Sequence, residues 1–351
     1  MESSIPENLR CPRTRARRVR DDYAPPYPAW VARASKSIRQ VTMGYFGVQW
    51  QDGDPTAQAQ AHVQFAQMTA YFAAADGPVH FDRAIETDAA GFNNLIAIAY
   101  WTDTAAFARW WADPRLAEWW KSRVRPGERL GYFREVFSPH IERFETLFSS
   151  PDRMEGIGVA LQNRSEQDVT DHAYWGSMRD RIPLSQTDAL EAPEGKSGHL
   201  AGHENLAIIR SGQEWTDTEG RERELYTNEM EPTLRAGMEF LRDHGAHIGC
   251  YVNRYMRHID ASGQLLQKTF GLSYWRSLAQ LEHWAEFHPT HLAIFGTFMR
   301  IVQELQFNLK LRLYHEVAVL SQDEQDYEYI NCHAGSGWLR ALSPSAASHR
   351  G

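Results

Sequence analysis

Two histidines in this sequence have the setting for chemistry. His291 lies in His288-Pro289-Thr290-His291, where Pro289 suits the first position of a helix because its missing N–H is not needed there. Apolar residues then recur at Leu292, Phe295, Phe298, Met299, Val302 and Leu305, a helical period. His291 shares a stripe with Phe295, Phe298 and Val302, so it points where the helix buries its side chains. His315 lies in Leu311–Val319, which alternates as a strand. Two inward histidines on different elements suit a metal ligand and an acid/base group. They equally suit two hydrogen-bonded core residues.

The local context separates the two. His291 is the third residue of its helix, where the positive end of the macrodipole disfavours imidazolium. A neutral imidazole among aromatics and Met299 is a suitable axial ligand for haem iron. Zinc fits less well, because no His-Glu-x-x-His and no cluster of three or four ligands is present. His288 reads as the cap of the helix and faces away from the stripe. His315, beside Glu316, suits general acid/base work near neutral pH. Arg179 and Arg181 flank Asp180 and could hold a carboxylate or form a surface ion-pair cluster. Ser211, at the end of an apolar strand, has the character of a turn residue. No Gly-x-Ser-x-Gly surrounds it.

The elements that must position these residues fall into a repeat. Strands are expected at Val41–Trp50, Leu95–Trp101, Leu130–Phe137, Gly156–Gln162, Leu206–Gln213, Gly249–Ile259, Leu265–Tyr274, Leu311–Val319 and Tyr327–Cys332. Helices are expected at Pro55–Ala75, Asp103–Trp111, Pro114–Lys121, Asp171–Arg181, Glu222–His244, Ser277–Glu286 and from Pro289. Ile141–Phe148 reads as a short helix or an extended connection, and Pro183–Gly202 as a loop. Tyr100-Trp101 opens a segment of helix, proline-started helix and strand, and Tyr274-Trp275 opens another. Such self-similarity implies a duplicated α+β unit with antiparallel strands and helices on one face. Where the first copy has Leu116 and Arg134, the second has His291 and His315. Both histidines are therefore additions to one copy.

A chain of 351 residues can bury a large core and is long enough for two domains or two halves of one body. A net charge of −8 argues against nucleic acid or an anionic membrane as partner. No apolar run reaches the ~20 residues of a membrane helix. Cys11, Cys250 and Cys332 are odd in number and far apart, which fits a reducing cytoplasm rather than a disulfide framework. The absence of Cys-x-x-Cys argues against covalent haem attachment. Six arginines between Arg10 and Arg20 mark a basic arm without the apolar core of a signal peptide.

Nearly the whole chain resembles the haem-containing aldoxime dehydratases, the aliphatic aldoxime and phenylacetaldoxime dehydratases. The resemblance is carried by Cys11-Pro12-Arg13-Thr14, Gly131-Tyr132-Phe133-Arg134-Glu135, Phe144-Glu145-Thr146-Leu147, Tyr174-Trp175-Gly176-Ser177-Met178-Arg179-Asp180-Arg181, Ile209-Arg210-Ser211-Gly212-Gln213, His288-Pro289-Thr290-His291 and Leu313-Tyr314-His315-Glu316-Val317, in order. It implies an α+β fold: a dimeric α+β barrel of two ferredoxin-like repeats, related to the chlorite dismutase and dye-decolourising peroxidase folds. It further implies an extended arm over 1–35, a first half over 36–150, a haem-binding half over 151–335 and a flexible tail over 336–351. The implied activity is the dehydration of aldoximes to nitriles by a cytoplasmic homodimer, with non-covalent haem b and the substrate nitrogen on ferrous iron. In that reading His291 is the proximal ligand and His315 the distal acid/base. Ser211 bonds the oxime oxygen, and Arg181 and Glu145 set the state of His315; Arg179 is the less certain arginine. A haem peroxidase or chlorite-dismutase-like oxidoreductase is the alternative, and a non-catalytic haem- or apolar-ligand-binding dimer a third.

Overall fold

The computed structural model describes residues 2–122, 125–192 and 202–342. Strand β1 (Thr42–Gln51) leads to helix α1 (Pro55–Ala70), where Asp54 caps the backbone N–H groups of Thr56 and Ala57 and Pro55 takes the first position. Strands β2 (His80–Thr87) and β3 (Phe92–Trp101) follow, then helices α2 (Thr104–Trp111) and α3 (Pro114–Trp120), capped by Asp103 and Asp113. Strands β4 (Gly131–Phe137) and β5 (Phe144–Phe148) and the short helices α4 (Ile157–Leu161) and α5 (Ser177–Arg181) lead into the second half. There β6 (Leu206–Glu214) precedes α6 (Gly220–Leu225) and α7 (Glu231–His244), which join through a π turn at Tyr226–Met230. Next come the hairpin β7 (Cys250–Ile259) and β8 (Leu265–Trp275), helices α8 (Leu278–Phe287) and α9 (Pro289–Glu304), strands β9 (Arg312–Leu320) and β10 (Gln325–Ile330), and helix α10 (Leu339–Leu342).

Among the described residues all ten strands belong to one antiparallel sheet, in the order β10-β4-β1-β3-β2-β7-β8-β6-β9-β5. Each half contributes four strands with the same connectivity, β4-β1-β3-β2 and β9-β6-β8-β7, joined where β2 meets β7. The last strand of each half crosses over: β5 pairs with β9, and β10 with β4. The division at residue 150 therefore cuts between two bodies that share strands. The sheet curls so that its inner face forms one apolar cluster, with Tyr45 and Ile98 of the first half against Tyr274 and Leu320 of the second. The residues matched by the repeat meet crosswise there. Tyr100 donates to Glu316, and Tyr274 to Glu135. The outer faces carry two more clusters, one under α1–α3 and one under α5–α9. No helix among the described residues is long and apolar enough to cross a membrane.

Several expectations need correction. Gly156–Gln162 is a turn of helix, begun at a Gly156 with φ 56°, rather than a strand. Of Asp171–Arg181 only the last five residues are helical, because Ala173 (φ 62°) and Gly176 (φ 91°) take left-handed backbone conformations that break it. Strand β2 was not anticipated. Residues 336–342 are not a free tail: Trp338 is buried, stacks on Tyr327 at 5.1 Å and donates its backbone N–H to the Tyr329 hydroxyl. Residues 343–351 of the expected tail and 193–201 of the expected loop lie outside the described residues. The basic arm is extended, and it wraps its own chain. Trp30 bridges to Phe148, Thr14 and Arg15 donate to the Gln186 carbonyl, and Arg17 pairs with Asp171 at 2.9 Å.

Candidate active site

Strand register assembles one side of the site. On β9, His315 stands opposite Ser211 of β6 and Leu147 of β5. Glu145 stands opposite Val317, two residues along, which places it on the same face as His315. Neighbours Arg210 and Glu316 alternate to the inner face, where Arg210 bonds Tyr100 and Asp82. The outer face is thus the one that presents Ser211, His315 and Glu145 toward the helices. The Ser211 hydroxyl has no protein partner among the described residues.

Arg181, the last residue of α5, closes the cluster. Its Nε and Nη2 donate to the two Glu145 oxygens at 2.6 and 3.1 Å, and its Nη1 donates to the Asp171 carbonyl at 2.7 Å. Both side chains of this pair are 1% exposed. Nη2 also lies 2.8 Å from His315 Nε2, which in turn lies 3.0 Å from Glu145 Oε1. An arginine only donates. The neutral ring, with Nδ1 protonated, therefore accepts from Arg181 through Nε2, while the protonated ring donates from Nε2 to Glu145. One nitrogen has a partner in each protonation state. Burial alone would raise the Glu145 carboxyl, but the charges of Arg181 and His315 outweigh it and hold the group below its ordinary value. His315 Nδ1, without a partner among the described residues, is the ring atom left for a substrate.

Arg179 does something else. It forks onto Glu282 of α8 and reaches the Ala189 carbonyl, so it ties α5 to α8 and does not touch His315. Two residues apart on a helix point to different sides, which is why the neighbouring arginines part company.

His291 comes from the facing helix. The cluster that packs α9 on the sheet joins Ile294, Phe298 and Ile301 to Ile209, Leu313 and Val317, the outer-face neighbours of Ser211 and His315. His291 is not hydrogen-bonded to any of the other four residues. Its Nδ1 lies 2.6 Å from the Ala285 carbonyl, and Trp284 and Trp175 stand at 4.7 and 5.8 Å from its ring. Burial lowers its pKa. The ring is then neutral with Nδ1 protonated, and Nε2 has a free lone pair with no partner among the described residues. Around it Leu292 and Phe295 are 42% and 41% exposed, so the start of the stripe is open rather than packed. One neutral imidazole with an open nitrogen, flanked by exposed apolar and indole rings, fits an iron porphyrin. His288 caps α9 through Thr290 and packs on Phe240, away from this face. One cavity, of about 450 Å³, lies elsewhere, between α1 and α3 beside Tyr71, Trp119 and Arg125, and is lined by none of the five residues.

Sequence reasoning missed the Ala285 and Asp171 carbonyls, which are backbone groups without a residue-type signal. It passed over Trp284 and Trp175 as two of many tryptophans.

A family model for haem-containing dehydratases matches residues 44–338. The aliphatic aldoxime dehydratase of Pseudomonas chlororaphis is 47% identical over 352 residues, covering 97% of this chain and 98% of that protein. The phenylacetaldoxime dehydratase of Bacillus sp. (strain OxB-1) is 31% identical and covers 91% of this chain and 93% of its own. Among solved structures, an aldoxime dehydratase crystallised with butyraldoxime is 46% identical with a TM-score of 0.91, covering 97% of this chain and 96% of its own.

Proposed function

We propose, starting from the fact that the chain belongs to the haem-containing dehydratase family, that it converts aldoximes, R–CH=N–OH, to nitriles, R–C≡N, and water. The observation that carries the reading is the buried Arg181–Glu145 pair meeting at His315 Nε2, with Ser211 opposite in register. His291 would hold the iron of a non-covalent haem b, kept ferrous for turnover. The lack of a Cys-x-x-Cys supports non-covalent binding.

Two bonds to hydrogen and oxygen must break: N–O, with hydroxide as a poor leaving group, and C–H. A haem held by His291 would supply a ferrous iron able to bind the oxime nitrogen and weaken the N–O bond. Ser211 donates a hydrogen bond to the oxime oxygen and holds it in line, the positioning contribution. Protonated His315, steadied by Glu145, gives its proton to that oxygen, which leaves as water. The proton leaves from Nδ1, so the ring is then the neutral Nε2–H tautomer, donating to Glu145, and its free Nδ1 takes the proton from carbon as the triple bond forms. The sequence returns His315 to its starting state, so one histidine serves both transfers. With a porphyrin laid over the open apolar stripe, that stripe and the indole rings would keep bulk water from the site and suit an apolar R group.

The same reading takes the molecule as a cytoplasmic homodimer. It takes 36–150 and 151–335 as the two ferredoxin-like halves of a dimeric α+β barrel, supported by their shared connectivity. The test is anaerobic: aldoxime is given to dithionite-reduced, haem-loaded protein and nitrile is assayed. Nitrile formation is expected. Turnover of peroxide with no nitrile would reject the reading in favour of an oxidoreductase.

A further inference from the structure

Only His288 separates α8, which ends at Phe287, from α9, which begins at Pro289. In an α-helix the carbonyl of residue i takes the amide of residue i+4. The Trp284 carbonyl has its partner, the His288 N–H at 3.1 Å. The next carbonyl, that of Ala285, would take the amide of residue 289, and a proline has none. Ala285 is buried, so water is a poor substitute, and a buried carbonyl without a donor is costly. His291 Nδ1 supplies the donor at 2.6 Å.

We propose that Pro289 is a positioning residue for the iron ligand. By withholding an amide from the Ala285 carbonyl it reserves that carbonyl for His291, which locks the ring as the Nδ1–H tautomer and leaves Nε2 outward. The inference rests on the reading of His291 as the ligand. The surroundings remove the competing choices. The His288 ring is occupied by Thr290, whose hydroxyl also takes the Trp284 N–H at 3.1 Å, so neither side chain bids for the Ala285 carbonyl. A carbonyl is a neutral acceptor. It orients the imidazole and raises its basicity, without the stronger pull of a carboxylate.

The test is Pro289→Ala, which restores an amide at the position that can reach the Ala285 carbonyl. In the ferrous haem-loaded variant the iron–imidazole stretching band should move to lower frequency and the reduction potential should rise, because the ring has lost part of its acceptor. Haem transfer to apomyoglobin should be about 10-fold faster. Phe287→Ala, at the exposed end of α8, disturbs the same helix junction without adding an amide and should leave band and potential in place. An unchanged band in folded Pro289→Ala, or an equal shift in both variants, overturns the proposal. Nitrogen-15 NMR of the haem-free wild-type protein adds a check that needs no variant: His291 should be protonated on Nδ1, and the Nε2–H tautomer overturns the proposal. Failure of the ligand assignment is separable, since His291→Gly would then keep the axial imidazole signature.

Discussion

Ser211 and His315 are register partners on adjacent strands, β6 and β9, with both side chains on the helix-facing side of the sheet. Directly opposed residues carry their Cβ atoms ~5 Å apart, so a hydroxyl and an imidazole converge on one small volume without any loop to place them. For Ser211→Ala we expect haem content unchanged and kcat lower by about 100-fold or more, the loss typical of one donor at a developing negative oxygen. Anaerobic nitrile formation under saturating aldoxime checks it, and wild-type kcat would remove Ser211 from the mechanism.

The two histidines should separate cleanly. His291→Ala should emerge from gel filtration without a Soret band. His315→Ala should keep the band and lose nitrile formation. Residual turnover near wild type in the second variant would contradict the acid/base role.

Glu145→Gln leaves Arg181 charged and buried without its carboxylate. Breaking one side of such a pair costs about 3–5 kcal/mol, to be read from urea denaturation at pH 7. The pH dependence has a definite sign. The Glu145 carboxyl is lowered in the folded protein relative to 4.5, so its contribution is present above that value and lost as pH falls through the lowered one. Wild-type stability should therefore drop more steeply below pH 4.5 than that of Glu145→Gln. Parallel curves would show that the pair does not carry this linkage.

Asp171 joins the basic arm to the site. Its carboxylate accepts from Ser3, from the N–H and hydroxyl of Ser4, and from Arg17, while its own carbonyl accepts from Arg181. Arg17→Ala should cost about 2 kcal/mol, the scale of a charge-assisted bond, and should lower kcat with haem retained. Hydrogen exchange over 171–186 should quicken in step. Unchanged exchange would show that the arm does not brace Arg181.

Much of this was legible before any coordinates. Helix starts at Pro55, Pro114 and Pro289 announced themselves, because proline and an Asp or His cap sit together at each. Alternation marked β9, and the comparison of two copies singled out His291 and His315. What stayed hidden depends on contacts distant in sequence or on backbone groups. Nothing local says that Glu145 belongs beside His315, since their strands are far apart in the chain and pair only after the crossover. The break at Ala173 is a positive φ on an ordinary residue, with no composition to betray it. The separate duties of Arg179 and Arg181 became readable once α5 was seen to turn them to different sides.

The crossed strands have a consequence for synthesis. A ribosome releases the first half long before residues 325–330 exist, so β4 waits with a bare, hydrogen-bond-hungry edge. Strand β5, already made, finds its partner only after β9 has emerged. Glu145 is thus among the earlier active-site residues to be made and meets His315 only when the chain through β9 is out. Nascent chains stalled before residue 312 should expose an adhesive edge and depend on chaperones, while chains released after β10 should not.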